Sequence, residues 1–327
     1  MKYENVSVLQ SARKIPARVV TNDELSEMMD TSDEWITQRT GIKRRHVADG
    51  ETTTSLSVDV SRELLANANV APEEIDYIVV ATMSPDFLTP SVAATVQGEI
   101  GATNAVSFDL NAACSGFSYG LSVVQKLLVS DEPKKAILIG GEVLSKLIDW
   151  HDRSTAVLFG DGAAGMLLTN SATETGAILG SDLRTLGELG KYLTAGQTGE
   201  TTPFQTDQPE FSRFFAMNGR RVYNFAVKNV PISIEAALKQ ANLTLADVDH
   251  FVLHQANVRI VERIAEKLEV DFDKFDTNID EYGNTAAASE PILFDELVQK
   301  GKINRGDVVV LSGFGGGLTI GTIILKY

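Results

Sequence analysis

An α/β fold built from two homologous halves, roughly 1–170 and 171–327, is what this sequence predicts, and three observations carry it. The first is internal repetition. From Ala81 to His254, an offset of 173 residues, a helix end, a turn and a buried strand recur: Ala68, Asn69, Asp76 and Val79 return as Ala241, Asn242, Asp249 and Val252. The motif Phe108-Asp109-Leu110-Asn111 returns as Phe275-Asp276-Thr277-Asn278, and 135–141 returns as 306–313, in the same order in both halves. Repeats of this kind decide the architecture before any single element does. The second observation is a set of short, nearly continuous apolar runs rich in β-branched residues, the pattern of strands buried on both faces. The third is the helical spacing of apolar residues between those runs.

Taken in chain order, 53–67 reads as a helix and 75–81 as a strand, followed by a strand at 105–108 and a helix over 115–129. Strands follow at 136–139 and 155–159. The stretch Gly160-Asp161-Gly162-Ala163-Ala164-Gly165 matches a dinucleotide-binding fingerprint, but Met166-Leu167-Leu168-Thr169 after it reads as a strand. That fingerprint needs a helix there to receive the pyrophosphate, so nicotinamide or flavin binding is rejected. Residues 183–215, rich in Gly, Thr and Gln, read as an irregular surface excursion between the halves. A strand at 251–253, helices at 258–268 and 286–300, and a strand at 308–311 complete the second half.

Composition narrows the function. The chain has 327 residues, 43% hydrophobic and 22% charged, and no apolar run approaches the roughly 20 residues of a membrane span. Residues 1–6 lack the apolar core of a secretory signal, so a cytoplasmic protein is expected. The net charge of −15 argues against nucleic-acid binding, which needs a positive face. A single cysteine, Cys114, rules out an intrachain disulfide and a cysteine-rich metal site.

Cys114 follows a predicted strand and a turn of small residues, at or near a helix N-terminus. There the free N–H groups and helix dipole are expected to lower the thiol pKa and make a nucleophile. A buried structural cysteine is the ordinary alternative. His254 ends a predicted strand at a strand-to-helix turn, where α/β folds place reactive groups. Asn284 precedes a helix, and helix capping alone would explain it. Matching strand ends in two halves packed about a pseudo-twofold axis would bring the three together. The tail Ser312-Gly313-Phe314-Gly315-Gly316-Gly317 is either a hairpin turn or a backbone able to approach an oxyanion closely. Positive charge clusters at Arg39, Lys43, Arg44 and Arg45 after Trp35, at Arg153, at Arg220-Arg221, and at Arg259, Arg263 and Lys267.

Six ordered motifs together resemble the β-ketoacyl-acyl-carrier-protein synthase III family of condensing enzymes, over essentially the whole chain. They are Thr31-Ser32-Asp33-Glu34-Trp35-Ile36 with Arg39-Thr40-Gly41-Ile42, Ala112-Ala113-Cys114-Ser115-Gly116-Phe117, Phe159-Gly160-Asp161-Gly162-Ala163, His254-Gln255-Ala256-Asn257, Gly283-Asn284-Thr285, and Phe314-Gly315-Gly316-Gly317. The resemblance implies a thiolase-like, five-layered αβαβα fold, a homodimer, and a Cys114-His254-Asn284 triad. It implies condensation of a short acyl-CoA with malonyl-acyl-carrier protein, initiating fatty-acid synthesis. The CoA thioester is then a substrate, and neither cofactor nor metal is required. By the same resemblance Gly316 is an oxyanion donor, Phe314 an apolar gate, and Trp35, Arg39, Arg153 and Asn257 bind CoA. Arg259, with Arg220, Arg221, Arg263 or Lys267, would receive the acidic carrier, Asn224 standing where relatives often have a lysine. Thr89 falls where relatives can carry a bulky residue closing the partner subunit's acyl pocket, so branched or longer primers are expected to fit. Glu290, beside Ser289 and Pro291, has no evident role at this level. The alternatives are a related acyltransferase, a polyketide-type condensing enzyme, a Cys-His-Asn hydrolase, or a silent carrier-binding scaffold. A thiolase would need a second cysteine.

Overall fold

The computed structural model describes residues 5–171, 176–198, 204 and 211–327. The sequence reading of the first four residues, and of part of 183–215, lies outside them. The first half contains β1 (Ser7–Lys14), α1 (Asp33–Thr40), α2 (Thr53–Ala68), β2 (Tyr77–Ala81), α3 (Val92–Ile100), β3 (Val106–Leu110), α4 (Gly116–Leu128), β4 (Lys135–Glu142) and β5 (Gly162–Thr169). The second contains β6 (Ala177–Thr185), α5 (Gly219–Ala241), β7 (His250–Leu253), α6 (Val258–Leu268), α7 (Ser289–Gln299), β8 (Val308–Gly315) and β9 (Thr319–Lys326).

Two large sheets result, with orders β1-β5-β4-β2-β3 and β6-β9-β8-β7, beside two short two-stranded pairings, 19–21 with 44–46 and 193–194 with 216–217. In the first, β1–β5 and β5–β4 are antiparallel and β4–β2 and β2–β3 parallel. The second repeats these senses as β6–β9, β9–β8 and β8–β7, and an isolated parallel bridge from Phe251 to Phe275 takes the place of β2–β3. The local chemistry repeats as well. Asn69 and Asn242 end α2 and α5 in the left-handed region, at φ 50° and 55°, a conformation asparagine tolerates better than most residues. Asp76 then accepts from the Lys135 N–H, and Asp249 from the Val308 N–H, each at 2.8 Å.

Five layers follow from which faces are apolar. Helices α2 and α3 cover one face of the first sheet, burying Leu64, Val96, Ile78 and Ile137 between them. Helices α4 and α7 fill the space between the sheets, where Phe117, Leu121, Phe294 and Leu297 meet both. Helices α5 and α6 cover the outer face of the second sheet through Val230, Ile234, Ile264 and Phe251. No helix among the described residues is long and apolar enough to cross a membrane.

Most predicted elements form within a residue or two, and 166–169 is strand as expected, within β5. Two expectations need correction. Residues 155–159 are not a strand: Asp152 accepts from the Ser154 N–H and starts a short helix, Arg153–Ala156, so a local cap overrides the apolar run. Nor is 183–215 only an excursion. Its first residues extend β6, where Thr185 pairs with Thr319, and Leu193, Ala195 and Phe215 line the central cavity.

Candidate active site

Cys114 lies on a 3-10 turn, Ala113–Ser115, at the entry to α4. Asn111 holds that turn, its Oδ1 accepting from the Ala113 N–H at 3.1 Å, and Ala113 sits at φ 47°. The same turn recurs 173 residues on. Asn284 Oδ1 accepts from the Ala286 N–H at 2.9 Å, and Ala286 sits at φ 44°. A non-glycine residue in this region carries strain and persists only where its surroundings impose it. Here each turn is seated by a glycine from the other half. A Cβ on Gly140 would lie 2.2 Å from the Ala287 carbonyl oxygen, and one on Gly313 would lie 2.9 Å from the Cys114 carbonyl oxygen. Asn284 therefore bonds the backbone two residues on, although the cap position of the following turn is Thr285, and it also lines the cavity. Its counterpart Asn111 does likewise, which the sequence reading did not single out.

His254 follows β7 directly, and its N–H donates to the Ser312 carbonyl at 2.9 Å. Its Nδ1 lies 2.6 Å from Ser289 Oγ, and the Phe314 ring meets the imidazole edge-on at 5.2 Å between centroids. Burial lowers the imidazole pKa to about 3, so His254 is neutral at physiological pH. Cys114, His254, Asn284, Phe314 and Gly316 all line one cavity of about 1010 Å³. The backbone N–H groups of Gly316 and of Cys114 itself lie near enough to the sulfur to favour its anion. Gly315 has no room for a side chain, because a Cβ there would sit 2.8 Å from Sγ. The glycine tail is thus both a hairpin between β8 and β9 and a backbone wall for the nucleophile.

The thiol departs from expectation. Burial pushes Cys114 up to about 12, the charge of Glu142 adds to this and that of Glu290 adds further, and the N–H groups of Gly316 and Cys114 only partly oppose it. The helix end does not prevail over desolvation, and the resting group is a thiol. Neither carboxyl was foreseen as part of this environment. Glu142, hydrogen-bonded by the hydroxyls of Ser84 and Thr82, is raised by burial to about 7. Glu290 is raised by burial to about 8, with Ser118 donating to Oε1 at 2.7 Å and no hydrogen-bond partner at Oε2 among the described residues.

At the cavity mouth Ser32 caps α1 by accepting from the Trp35 N–H. One turn on, Arg39 lies 4.4 Å over the indole, and Arg153 approaches the same ring at 5.2 Å while donating to the Asp30 carbonyl. Asn257 caps α6 and donates to the Arg39 carbonyl at 2.9 Å, so the motifs at 35–39 and 254–257 form one rim. The basic residues at 259, 263 and 267 recur at a spacing of four on α6 and are exposed, as are Arg220 and Arg221 at the start of α5. Arg259 already donates to the Gln38 carbonyl and Arg263 pairs with Glu266. Thr89 is exposed and stands outside this chain's own cavity, next to the exposed Phe87 and Leu88. Sequence reasoning missed Met83, Leu193 and Phe215, which line the cavity from connecting segments without periodicity. No group of His, Cys, Asp or Glu among the described residues is arranged to hold a metal ion.

A buried thiol under two backbone N–H groups, with an imidazole and a carboxamide in the same cavity of a duplicated five-layered fold, defines a condensing acyltransferase of the thiolase-like class. Two family models match: 3-oxoacyl-[acyl-carrier-protein] synthase III over residues 108–187, and the C-terminal region of the same synthase over 238–327. The chain is 65% identical over 327 residues to β-ketoacyl-[acyl-carrier-protein] synthase III of Lactobacillus helveticus, and 59% identical to that of Levilactobacillus brevis, each covering 100% of both chains. The crystal structure of the Aquifex aeolicus synthase III superposes with a TM-score of 0.92 at 38% identity, over 98% of this chain and 100% of that one. This chain belongs to the β-ketoacyl-acyl-carrier-protein synthase III family, β-ketoacyl and 3-oxoacyl being the same group.

Proposed function

We propose that the protein joins a short acyl-CoA to malonyl-acyl-carrier protein, releasing CoA and carbon dioxide and forming the first β-ketoacyl-carrier product of fatty-acid synthesis. The observation that carries this is the convergence of Cys114, His254 and Asn284 on one cavity whose mouth is Trp35 with two guanidinium groups. Cys114 attacks the acyl-CoA carbonyl, and the Cys114 and Gly316 N–H groups hold the tetrahedral oxyanion. The acyl group stays on sulfur while CoA leaves, so no resident cofactor or metal is used. Malonyl-carrier then enters. His254 and Asn284 hydrogen-bond its thioester oxygen, carbon dioxide departs, and the enolate attacks the acyl-cysteine. Phe314, 1% exposed, offers the malonyl carboxylate an apolar wall.

Trp35, Arg39 and Arg153 grip adenine and phosphate, and Asn257 touches the pantetheine arm. An aromatic ring with guanidinium groups suits a base and its phosphates. Arg220, Arg221, Arg259, Arg263 and Lys267 receive the acidic carrier. Halves 1–170 and 171–327 are the two units, the first giving the nucleophile and the second the donors. The enzyme works in the cytoplasm as a homodimer. The free edge of β3, with Val106 60% exposed, and the apolar Phe87 and Leu88 favour pairing with a second copy that sets Thr89 toward the partner's acyl cavity.

Intact mass after incubation with acetyl-, isobutyryl- or butyryl-CoA tests the assignment. One acyl increment, absent in Cys114→Ser and discharged by malonyl-carrier as β-ketoacyl product with carbon dioxide, is the expected result. Release as free acid, or an increment that malonyl-carrier leaves in place, would refute it, and turnover of acetyl-CoA alone would refute the wider primer range.

A further inference from the structure

The partner of His254 Nδ1 is a hydroxyl, and a hydroxyl is able to play either part in a hydrogen bond. Ser289 opens α7, and its Oγ has three neighbours: His254 Nδ1 at 2.6 Å, the Ala286 carbonyl at 2.9 Å and the Gln255 N–H at 3.4 Å. It has one proton for two acceptors. If that proton goes to the Ala286 carbonyl, Oγ accepts from Nδ1–H and the imidazole shows a bare Nε2. If the hydroxyl turns to donate to Nδ1, the ring proton is on Nε2. Neither arrangement strands a buried group. The Ala286 carbonyl also accepts the Ser289 backbone N–H, and Oγ keeps the Gln255 N–H. A backbone carbonyl or N–H at the same place would have fixed one tautomer.

We propose that Ser289 is a positioning residue that lets His254 alternate between its two neutral tautomers, one for each half of the reaction. The inference deepens the function proposed above and rests on it. In the loading half, bare Nε2 takes the Cys114 proton as sulfur bonds to the acyl carbon. The same proton then goes to the CoA sulfur as its C–S bond breaks. In the condensing half, Nε2–H donates a hydrogen bond to the malonyl thioester oxygen without transferring its proton. Carbon dioxide leaves with cleavage of its C–C bond, the enolate bonds to the acyl carbon, and Cys114 departs as thiolate and takes a proton from water. Between halves, Nε2 takes a proton from water in the cavity, and Nδ1 passes its proton to Ser289 Oγ as the hydroxyl gives its own proton to water, with no net change. The hydroxyl turns with it. Ala286 ties this movement to the other donor, because its carbonyl meets Ser289 while its N–H holds Asn284 Oδ1.

The test is histidine ¹⁵N NMR on the wild-type protein, first free and then as the acyl-enzyme with a malonyl thioether analogue that cannot lose carbon dioxide. Nδ1–H in the free enzyme and Nε2–H in the complex are expected. The same tautomer in both states, in a preparation that turns over, overturns the proposal. Failure of wild-type condensation would instead remove the parent function. Ser289→Ala is expected to slow both cysteine loading and carbon dioxide release by roughly tenfold to a hundredfold, as for loss of a buried hydrogen bond to a reacting group. Ser289→Thr, which keeps the hydroxyl, is expected to restore both. Unchanged rates in Ser289→Ala would count against the role. If that variant does not fold, the wild-type spectra decide.

Discussion

Glu290→Gln separates the charge of a buried carboxyl from its shape. Glu290 is 0% exposed, has the Ser118 hydroxyl as its hydrogen-bond partner and lies against Gly313, with no basic group among the described residues as a hydrogen-bond or ion-pair partner. Burial carries it from an ordinary 4.5 to about 8, so the folded protein holds this proton more tightly than the unfolded chain does. A folded-state pKa above the unfolded one gives stability that is complete below pH 4.5 and is lost as pH rises through about 8. The whole interval corresponds to on the order of 5 kcal/mol, a ceiling that relaxation and water entry reduce. Glutamine keeps the acceptor for Ser118 and has no proton to lose. Melting of the two proteins from pH 4 to pH 9 should show the variant and wild type close at the acid end, with the variant pulling ahead by up to roughly 10 °C at the alkaline end. The gap should stop widening above about pH 8. Thiol alkylation adds a second reading: the Glu290 charge raises the Cys114 pKa, so the substituted protein should alkylate faster at pH 9. A melting gap that stays constant across the range would refute the idea that Glu290 is a neutral acid in the fold.

Gly315→Ala puts a methyl group 2.7 Å from Cys114 Cβ and 2.8 Å from its sulfur; it should cost about 1–3 kcal/mol of stability and abolish acyl loading, checked by denaturant melts and intact mass. Trp35→Ala should raise KM for acyl-CoA about tenfold, as expected for loss of one base-stacking surface, while kcat stays within twofold or so in steady-state assays. His254, lowered from 6.5 to about 3 by burial, withdraws stability as pH falls below 6.5; His254→Asn should lose less stability than wild type between pH 6 and pH 4 in urea titrations.

What was legible in the sequence was whatever repeats or has a period. The 173-residue offset anticipated the two sheets, and α6 could be bounded because its apolar spacing begins just after a capping asparagine, Asn257, and ends at Leu268. Cys114, His254 and Asn284 were singled out because each stands at the end of such an element, and the structure brings all three to one cavity. Segment 155–159 misled because a four-residue helix starting at Asp152 carries no period of its own. The direction of the Cys114 shift was unreadable for another reason. It depends on desolvation and on Glu142 and Glu290, 28 and 176 residues further along the chain, whose approach to the sulfur is a product of the whole fold. Phe215 and Leu193 were missed on the same ground, since connecting segments reach the cavity by geometry rather than by pattern.

The exchanged glycines make each half the mould in which the other half's turn is cast. A change at Gly140 is made in the half that carries the nucleophile, yet it strikes the Ala287 carbonyl beside Asn284; a change at Gly313 is made in the other half and strikes the backbone of Cys114. Damage therefore crosses over. Neither half can drift in sequence at this contact without its twin answering, and a half separated from its twin would keep only its own asparagine bond to hold the strained alanine in place. Duplication supplied two copies of one bend, and the reciprocal seating is what let one become a nucleophile's perch and the other an amide's while binding them to a common fate.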